Sequence, residues 1–140
     1  MIHRLLIALA CLALPAITPQ AQTLKHEKYT LPNGLTVILH EDHTLPTVSI
    51  NLWYRVGARN EPPGRSGFAH LFEHLMFMGT KRAPGNAFDV LMETGGGANN
   101  ASTSLDRTNY FSWGPSELLP TLLWLDADRL EDMAVTMTKD

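Results

Sequence analysis

Residues 47–56 read TVSINLWYRV. Apolar side chains occupy every second position of this stretch, and mostly polar side chains stand between them. Successive side chains of a β-strand point to opposite faces of a sheet, so this period of two predicts a strand with one buried face. That face would carry Val48, Ile50, Leu52, Tyr54 and Val56.

A hairpin is predicted before this strand. Residues 29–31 and 35–40 are β-prone segments on either side of Pro32, Asn33 and Gly34. Asn-Gly supplies the positive φ angles that a tight turn requires. The two segments are therefore expected to pair as antiparallel strands.

A helix is predicted after the strand, over residues 66–78. Ser66 follows a Pro- and Gly-containing loop and is expected to cap the first free backbone amides of the helix. Apolar residues surround much of the helix circumference, which predicts a largely buried helix. These residues are Phe68, Leu71, Phe72, Leu75 and Met76.

A second, shorter helix and a second hairpin follow. Asn86 is expected to cap a helix that ends at Gly95. Residues 99–104 and 108–113 are rich in β-prone side chains and flank a turn at Leu105. They are expected to pair with each other.

The last predicted helix covers residues 116–133 and is amphipathic. Apolar residues recur at helical spacing at Leu119, Leu122, Leu123, Ala127 and Leu130. Acidic residues are expected towards the other, solvated side, at Asp126, Asp128, Glu131 and Asp132. The resulting order β-β-β-α-α-β-β-α predicts an α+β fold with helices packed on one face of an antiparallel sheet.

A candidate metal site lies in the first predicted helix, where residues 70–74 read HLFEH. His70 and His74 are four residues apart, so one helix face carries both imidazoles. Imidazole nitrogen is a good zinc ligand, and catalytic zinc keeps one position open for water. Glu73 can reach a water there without ligating the metal, as a general base does. The alternative is a pair of core histidines with a salt-bridged Glu, which would carry a desolvation cost without a shared partner.

The beginning of the chain resembles an export signal. Residues 1–22 combine an early Arg4, a short apolar run and helix-breaking prolines. The run is too short for a stable membrane span, so a cleaved signal and a periplasmic or secreted product are expected. Lipid modification of Cys11 is a weaker alternative. The net charge of −3 and the absence of basic runs argue against nucleic acid as a partner.

The motif resembles the inverted zinc motif of the M16 metallopeptidases, the group of pitrilysin, insulin-degrading enzyme and mitochondrial processing peptidase. The similarity extends to residues 31–35, 67–70, 79–80, 100–104, 106–110 and 128–129. It covers the chain from about Tyr29 onward. The resemblance implies that residues 23–140 are the N-terminal, incomplete part of an inverzincin (LuxS/M16-like metallopeptidase) domain.

The resemblance further implies a zinc-dependent endopeptidase that cleaves peptides or unfolded protein segments, with Zn²⁺ held by His70 and His74 and Glu73 as general base. Substrate would add to an edge strand formed by Asn100, Ala101, Ser102 and Thr103, although an ordinary inner strand is the alternative. The family's third ligand is a glutamate that would fall beyond Asp140.

Family members also use a second M16-like domain or subunit, so this fragment alone is expected to be inactive. Two other interpretations stay open: a non-catalytic partner subunit or scaffold of the same family, and an independent zinc-binding module. The acids Glu93, Glu131 and Asp132 match no third-ligand motif and are left unassigned.

Overall fold

The computed structural model describes residues 23–132. The predicted export signal, residues 1–22, lies outside the described residues, as do residues 133–140. The described residues divide into two compact units between Asp42 and His43.

The first unit contains an antiparallel hairpin of strands β1 (Glu27–Thr30) and β2 (Thr36–Leu39). Gly34 closes the turn with a φ of 88°, and its N–H donates to the Leu31 carbonyl at 2.9 Å. This φ is in the left-handed region that glycine adopts without strain. The predicted hairpin is confirmed.

The second unit is built on a three-stranded antiparallel sheet of β3 (Thr47–Tyr54), β4 (Ala98–Thr103) and β5 (Thr108–Pro115). The strand order is β3-β5-β4, with β5 in the centre. Exposed and half-buried residues alternate along β3, as its sequence predicts. Within the described residues, β4 is an edge strand.

Three helices pack on one face of this sheet: α1 (Phe68–Leu75), α2 (Ala87–Thr94) and α3 (Leu119–Asp132). Short 3₁₀ turns precede α1 and α3 in the chain, at Ala58–Asn60 and Ser116–Leu118. The hydrophobic core consists of Ala83, Phe88, Met92, Leu118, Leu122 and Leu125, and it packs against Val48 and Ile50 of β3. The predicted α+β fold is confirmed. No helix within residues 23–132 combines the length and the apolarity needed to cross a bilayer.

The start of α1 is capped differently from the prediction. Gly67, with a φ of 94°, is the N-cap, and Ser66 makes no capping bond. The carboxylate of Glu61 instead accepts hydrogen bonds from the Gly67 N–H at 2.9 Å and the Ala69 N–H at 2.8 Å. A carboxylate satisfies two free amides and also complements the positive end of the helix dipole. The carboxylate comes from the preceding loop, which folds back over the helix start.

The prediction that α1 is largely buried is wrong. Only Ala69 and Glu73 are buried within the helix, whereas Phe68, Leu71 and Phe72 are 44%, 50% and 47% exposed. The sheet reaches the helix from one side only, because β4 is the outermost described strand there. The apolar residues on the remaining sides are left in solvent.

The charged side of α3 also differs from the prediction, because Asp126 and Asp128 are buried together with Arg129. Asp128 accepts hydrogen bonds from the hydroxyl of Thr80 and from Nε of Arg82. Asp126 pairs with Arg129 at 2.5 Å. These partners compensate the charges, which is the condition for burying them.

The buried side of α3 is therefore rotated about the helix axis relative to the predicted apolar side. Leu122 and Leu125 are 1% exposed, whereas Leu119, Leu123 and Leu130 remain 38%, 54% and 59% exposed. The buried stripe therefore runs through both apolar and charged residues. A pattern of hydrophobicity alone misplaces such a stripe.

Candidate metal centre

His70 and His74 lie on the exposed side of α1, one helical turn apart. Their Nε2 atoms are 3.0 Å from each other, and the ring centroids are 4.6 Å apart. At this distance one ring can donate an N–H to the other nitrogen, depending on the tautomer. The helix thus brings two nitrogens that can bind a metal close together, as the spacing predicts.

The two Nε2 atoms are placed so that both could bind the same zinc ion, as two of its ligands. Two nitrogens at about 2.0 to 2.1 Å from one tetrahedral zinc would stand roughly 3.3 Å apart. The observed 3.0 Å differs by a few tenths of an ångström, which small side-chain rotations can provide. Residues 23–132 contain no group of three His, Cys, Asp or Glu side chains that could close the coordination. Among these residues, Glu93, Glu131 and Asp132 belong to no such group.

Glu73 is on the same turn of α1 but points towards the sheet. It is 8% exposed, and its Oε2 accepts a hydrogen bond from the hydroxyl of Thr103 on β4. The carboxylate is thus adjacent to the histidine pair in the helix but held by the edge strand. The sequence does not reveal this contact, because 30 residues separate the two side chains.

The four predicted substrate-binding residues all lie on β4, at the edge of the described sheet. Asn100 is exposed, and its side-chain oxygen accepts the Ala101 N–H at 2.8 Å. The hydroxyl of Ser102 donates to Oδ1 of Asn109 on β5 at 2.7 Å. The Ser102 side chain therefore holds β4 to β5, and Thr103 holds β4 to α1.

A cavity of about 220 Å³ lies on the other side of α1. Its wall includes Ala69 and Phe72 of α1, but none of the three predicted metal-site and catalytic residues. The other lining residues are Tyr54, Val56, Met76, Thr108, Tyr110, Arg129 and Leu130. The cavity is therefore separate from the candidate metal centre.

The polar side chains of this cavity are those of Tyr54, Thr108, Tyr110 and Arg129. Burial raises the pKa of Tyr110 to about 12, and burial also raises the pKa of Tyr54, so both phenols stay protonated at neutral pH. The guanidinium carbon of Arg129 is 4.5 Å from the centroid of the Tyr110 ring. Three buried polar atoms find no hydrogen-bond partner in the part of the chain that the structure describes: Nε and Nη1 of Arg129 and the hydroxyl oxygen of Tyr54.

A sheet with helices on one face, and a His-x-x-Glu-His helix beside its edge strand, define the class of inverzincin-type peptidase domains. Residues 36–138 match the family model described as Insulinase (Peptidase family M16). This chain belongs to peptidase family M16. The resemblance seen in the sequence is confirmed.

Similar proteins include the zinc protease PqqE of Helicobacter pylori, 44% identical over 88 residues, which are 62% of this chain and 20% of PqqE. Cytochrome b-c1 complex subunit 1 of Rattus norvegicus is 35% identical over 105 residues, 75% of this chain and 22% of that subunit. The crystal structure of a protease from Helicobacter pylori superposes with a TM-score of 0.79 at 37% identity, covering 85% of this chain and 28% of that one. This chain thus spans about a fifth of the length of the curated relatives it matches.

Proposed function

We propose that this chain is the N-terminal part of the catalytic domain of a zinc-dependent endopeptidase, in which His70 and His74 bind Zn²⁺ and Glu73 is the general base. One observation carries the proposal: the two Nε2 atoms converge to 3.0 Å on the helical turn that also bears the strand-held Glu73. The similarity to a zinc protease and to a protease of known structure supports both the metal and peptide hydrolysis.

The proposed mechanism assigns a separate task to each side chain. Bound zinc supplies Lewis acidity, which makes a water molecule nucleophilic near neutral pH. Oε2 of Glu73 is engaged by the Thr103 hydroxyl, which leaves Oε1 to take the proton of the attacking water. Oε1 then returns this proton to the leaving amine when the peptide bond breaks.

Substrate binding is proposed at the edge strand, through Asn100, Ala101, Ser102 and Thr103. The outer edge of a strand offers backbone donors and acceptors to an extended peptide, and these hydrogen bonds do not depend on side-chain identity. The side chains of Ser102 and Thr103 are engaged inside the chain, so their contribution to binding is expected to come from the backbone.

Removal of the metal is the direct test of this proposal. The full-length protein is the longer polypeptide of which this chain is proposed to be the N-terminal part. We expect it, when purified, to contain one zinc ion per molecule, to lose peptide cleavage on dialysis against a chelator, and to regain cleavage when zinc is added. Metal analysis and cleavage of a fluorogenic peptide measure the two properties on the same sample. A folded full-length protein that binds no zinc would exclude the metal site.

The alternative function is that of a non-catalytic partner subunit or scaffold. The similarity to cytochrome b-c1 complex subunit 1, whose name states no peptidase, is the observation in its favour. The complete His70, Glu73 and His74 set favours the enzyme, since a scaffold has no need of it. A zinc-loaded full-length protein with no peptide cleavage would favour the scaffold.

The remaining parts of the site are proposed to come from outside this chain. A third ligand beyond Asp140 and a second M16-like domain or subunit would complete the metal coordination and the substrate chamber. On this proposal residues 23–140 form the incomplete N-terminal part of the peptidase domain and have no peptidase activity alone. Assaying residues 23–140 beside the full-length protein tests this assignment.

Export is proposed on the basis of residues 1–22 and leads to a prediction about processing. Leu9→Arg places a charge in the apolar run, so the protein should stay unprocessed in the cytoplasm. The matched control Leu45→Arg changes a residue that is 66% exposed, and this variant should be exported and cleaved near residue 22. Cell fractionation and N-terminal sequencing give both results. Export of the Leu9→Arg protein would contradict the signal.

A further inference from the structure

The side chain of Thr103 links the edge strand to the proposed general base. Thr103 is the last residue of β4, and it pairs across the sheet with Thr108 of β5. Its half-buried hydroxyl donates a hydrogen bond to Oε2 of Glu73, which is 8% exposed. A single side chain of the strand thus restrains the carboxylate of the helix.

The neighbouring Thr108 hydroxyl is the weaker of the two acceptors within reach of the Thr103 hydroxyl. Oγ1 of Thr108 is 3.4 Å from Oγ1 of Thr103, but Thr108 donates its only hydroxyl proton to the Val56 carbonyl at 3.0 Å. Each threonine hydroxyl has one proton to donate. Thr108 can therefore only accept in its contact with Thr103. Oε2 of Glu73 is the closer acceptor and a carboxylate oxygen, so the Thr103 proton goes to Glu73.

We propose that Thr103 is a positioning residue for Glu73, and that it couples the substrate-binding edge of β4 to the base. This inference rests on the proposed peptidase function. A glutamate side chain has several rotatable bonds, and a hydrogen bond from a packed strand selects one of its orientations. The backbone of the same strand is the proposed docking edge. Strand β4 therefore positions both the peptide substrate and the general base.

The test compares Thr103→Val with Thr103→Ser in the full-length protein. Valine keeps the branched shape but has no hydroxyl, so we expect kcat to fall about 10- to 100-fold, the effect of misplacing a reacting group by roughly 1 Å. KM and zinc content should stay within about twofold, because neither the strand backbone nor a metal ligand changes. Serine keeps the hydroxyl and should restore kcat to within a few-fold of the wild type.

Two comparisons separate positioning from a structural effect. Thr36→Val makes the same chemical change on an exposed residue of β2 and should leave kcat unchanged. A kcat within twofold of wild type in Thr103→Val would overturn the inference. An equal loss in Thr103→Val and Thr103→Ser would overturn it as well, since the hydroxyl would then not matter.

Crystal structures of the metal-free full-length variants give a second result that does not depend on activity. Glu73 Oε2 should stay within hydrogen-bonding distance of residue 103 in the wild type and in Thr103→Ser, and should be displaced in Thr103→Val. If the wild type cleaved no peptide, the proposed function would fail, while the position of Glu73 in these structures would still decide the hydrogen bond. A Glu73 carboxylate that does not move in Thr103→Val would contradict the inference.

Discussion

Glu73→Gln in the full-length protein is expected to lower kcat by about 10²- to 10⁴-fold, the range that general bases contribute, and to leave the zinc content unchanged. The carboxamide has nearly the shape of the carboxylate but cannot take the proton of water. Its oxygen can still accept the hydrogen bond from Thr103. The helix should therefore keep its position against β4, and the loss should be chemical rather than structural.

Peptide-cleavage kinetics and metal analysis of the same protein preparation measure this effect. Glu93→Gln is the matched control, because it makes the same change on an exposed residue of α2 and should leave kcat at the wild-type value. Activity retained in Glu73→Gln would remove Glu73 as the base. Loss of zinc in that variant would instead make Glu73 a ligand.

The sequence predicts those parts of the fold that depend on neighbouring residues. The alternation along β3 predicts a strand with one buried face, and the Asn33-Gly34 pair predicts the first hairpin. Both are present, and so is the hairpin of β4 and β5. The spacing of His70 and His74 likewise predicts that their rings are neighbours, because helix geometry places side chains four residues apart on one face.

The sequence does not predict what packs on each element. Hydrophobicity identifies Phe68, Leu71 and Phe72 as apolar, but it does not show that the sheet covers only one side of α1. Exposure is a property of the partner surface as well as of the helix. The location of α1 could therefore be predicted correctly while its burial could not.

Polar contacts between distant residues are the other part that sequence patterns miss. The Thr80 hydroxyl reaches Asp128 across 48 residues, and Nε of Arg82 reaches the same carboxylate across 46. The Asp126 carboxylate of the same helix is buried against Arg129, three residues further on. Burial raises the pKa of Asp126, while the guanidinium of Arg129 acts in the opposite direction. Charged residues are seldom buried without such partners, so an acidic helix face is predicted as solvated until the partners are known.

His70→Ala and His74→Ala are each expected to lower zinc affinity by more than about 100-fold and to abolish peptide cleavage. Loss of an outer partner of a metal ligand already costs about 10- to 100-fold in affinity or activity, and loss of a ligand itself should cost more. Both side chains are exposed, so the fold should tolerate their removal. His26→Ala, an exposed histidine of the first unit, should leave zinc and activity unchanged.

Because one ion is proposed to bind both Nε2 atoms, the two alanine variants should behave alike. Zinc titration monitored by metal analysis, with circular dichroism to confirm the fold, makes the comparison. If one variant kept full zinc affinity, that histidine would not be a ligand, and the 3.0 Å contact would be only a hydrogen bond between rings. The equivalence of the two variants therefore tests the geometry of α1 on which the zinc assignment depends.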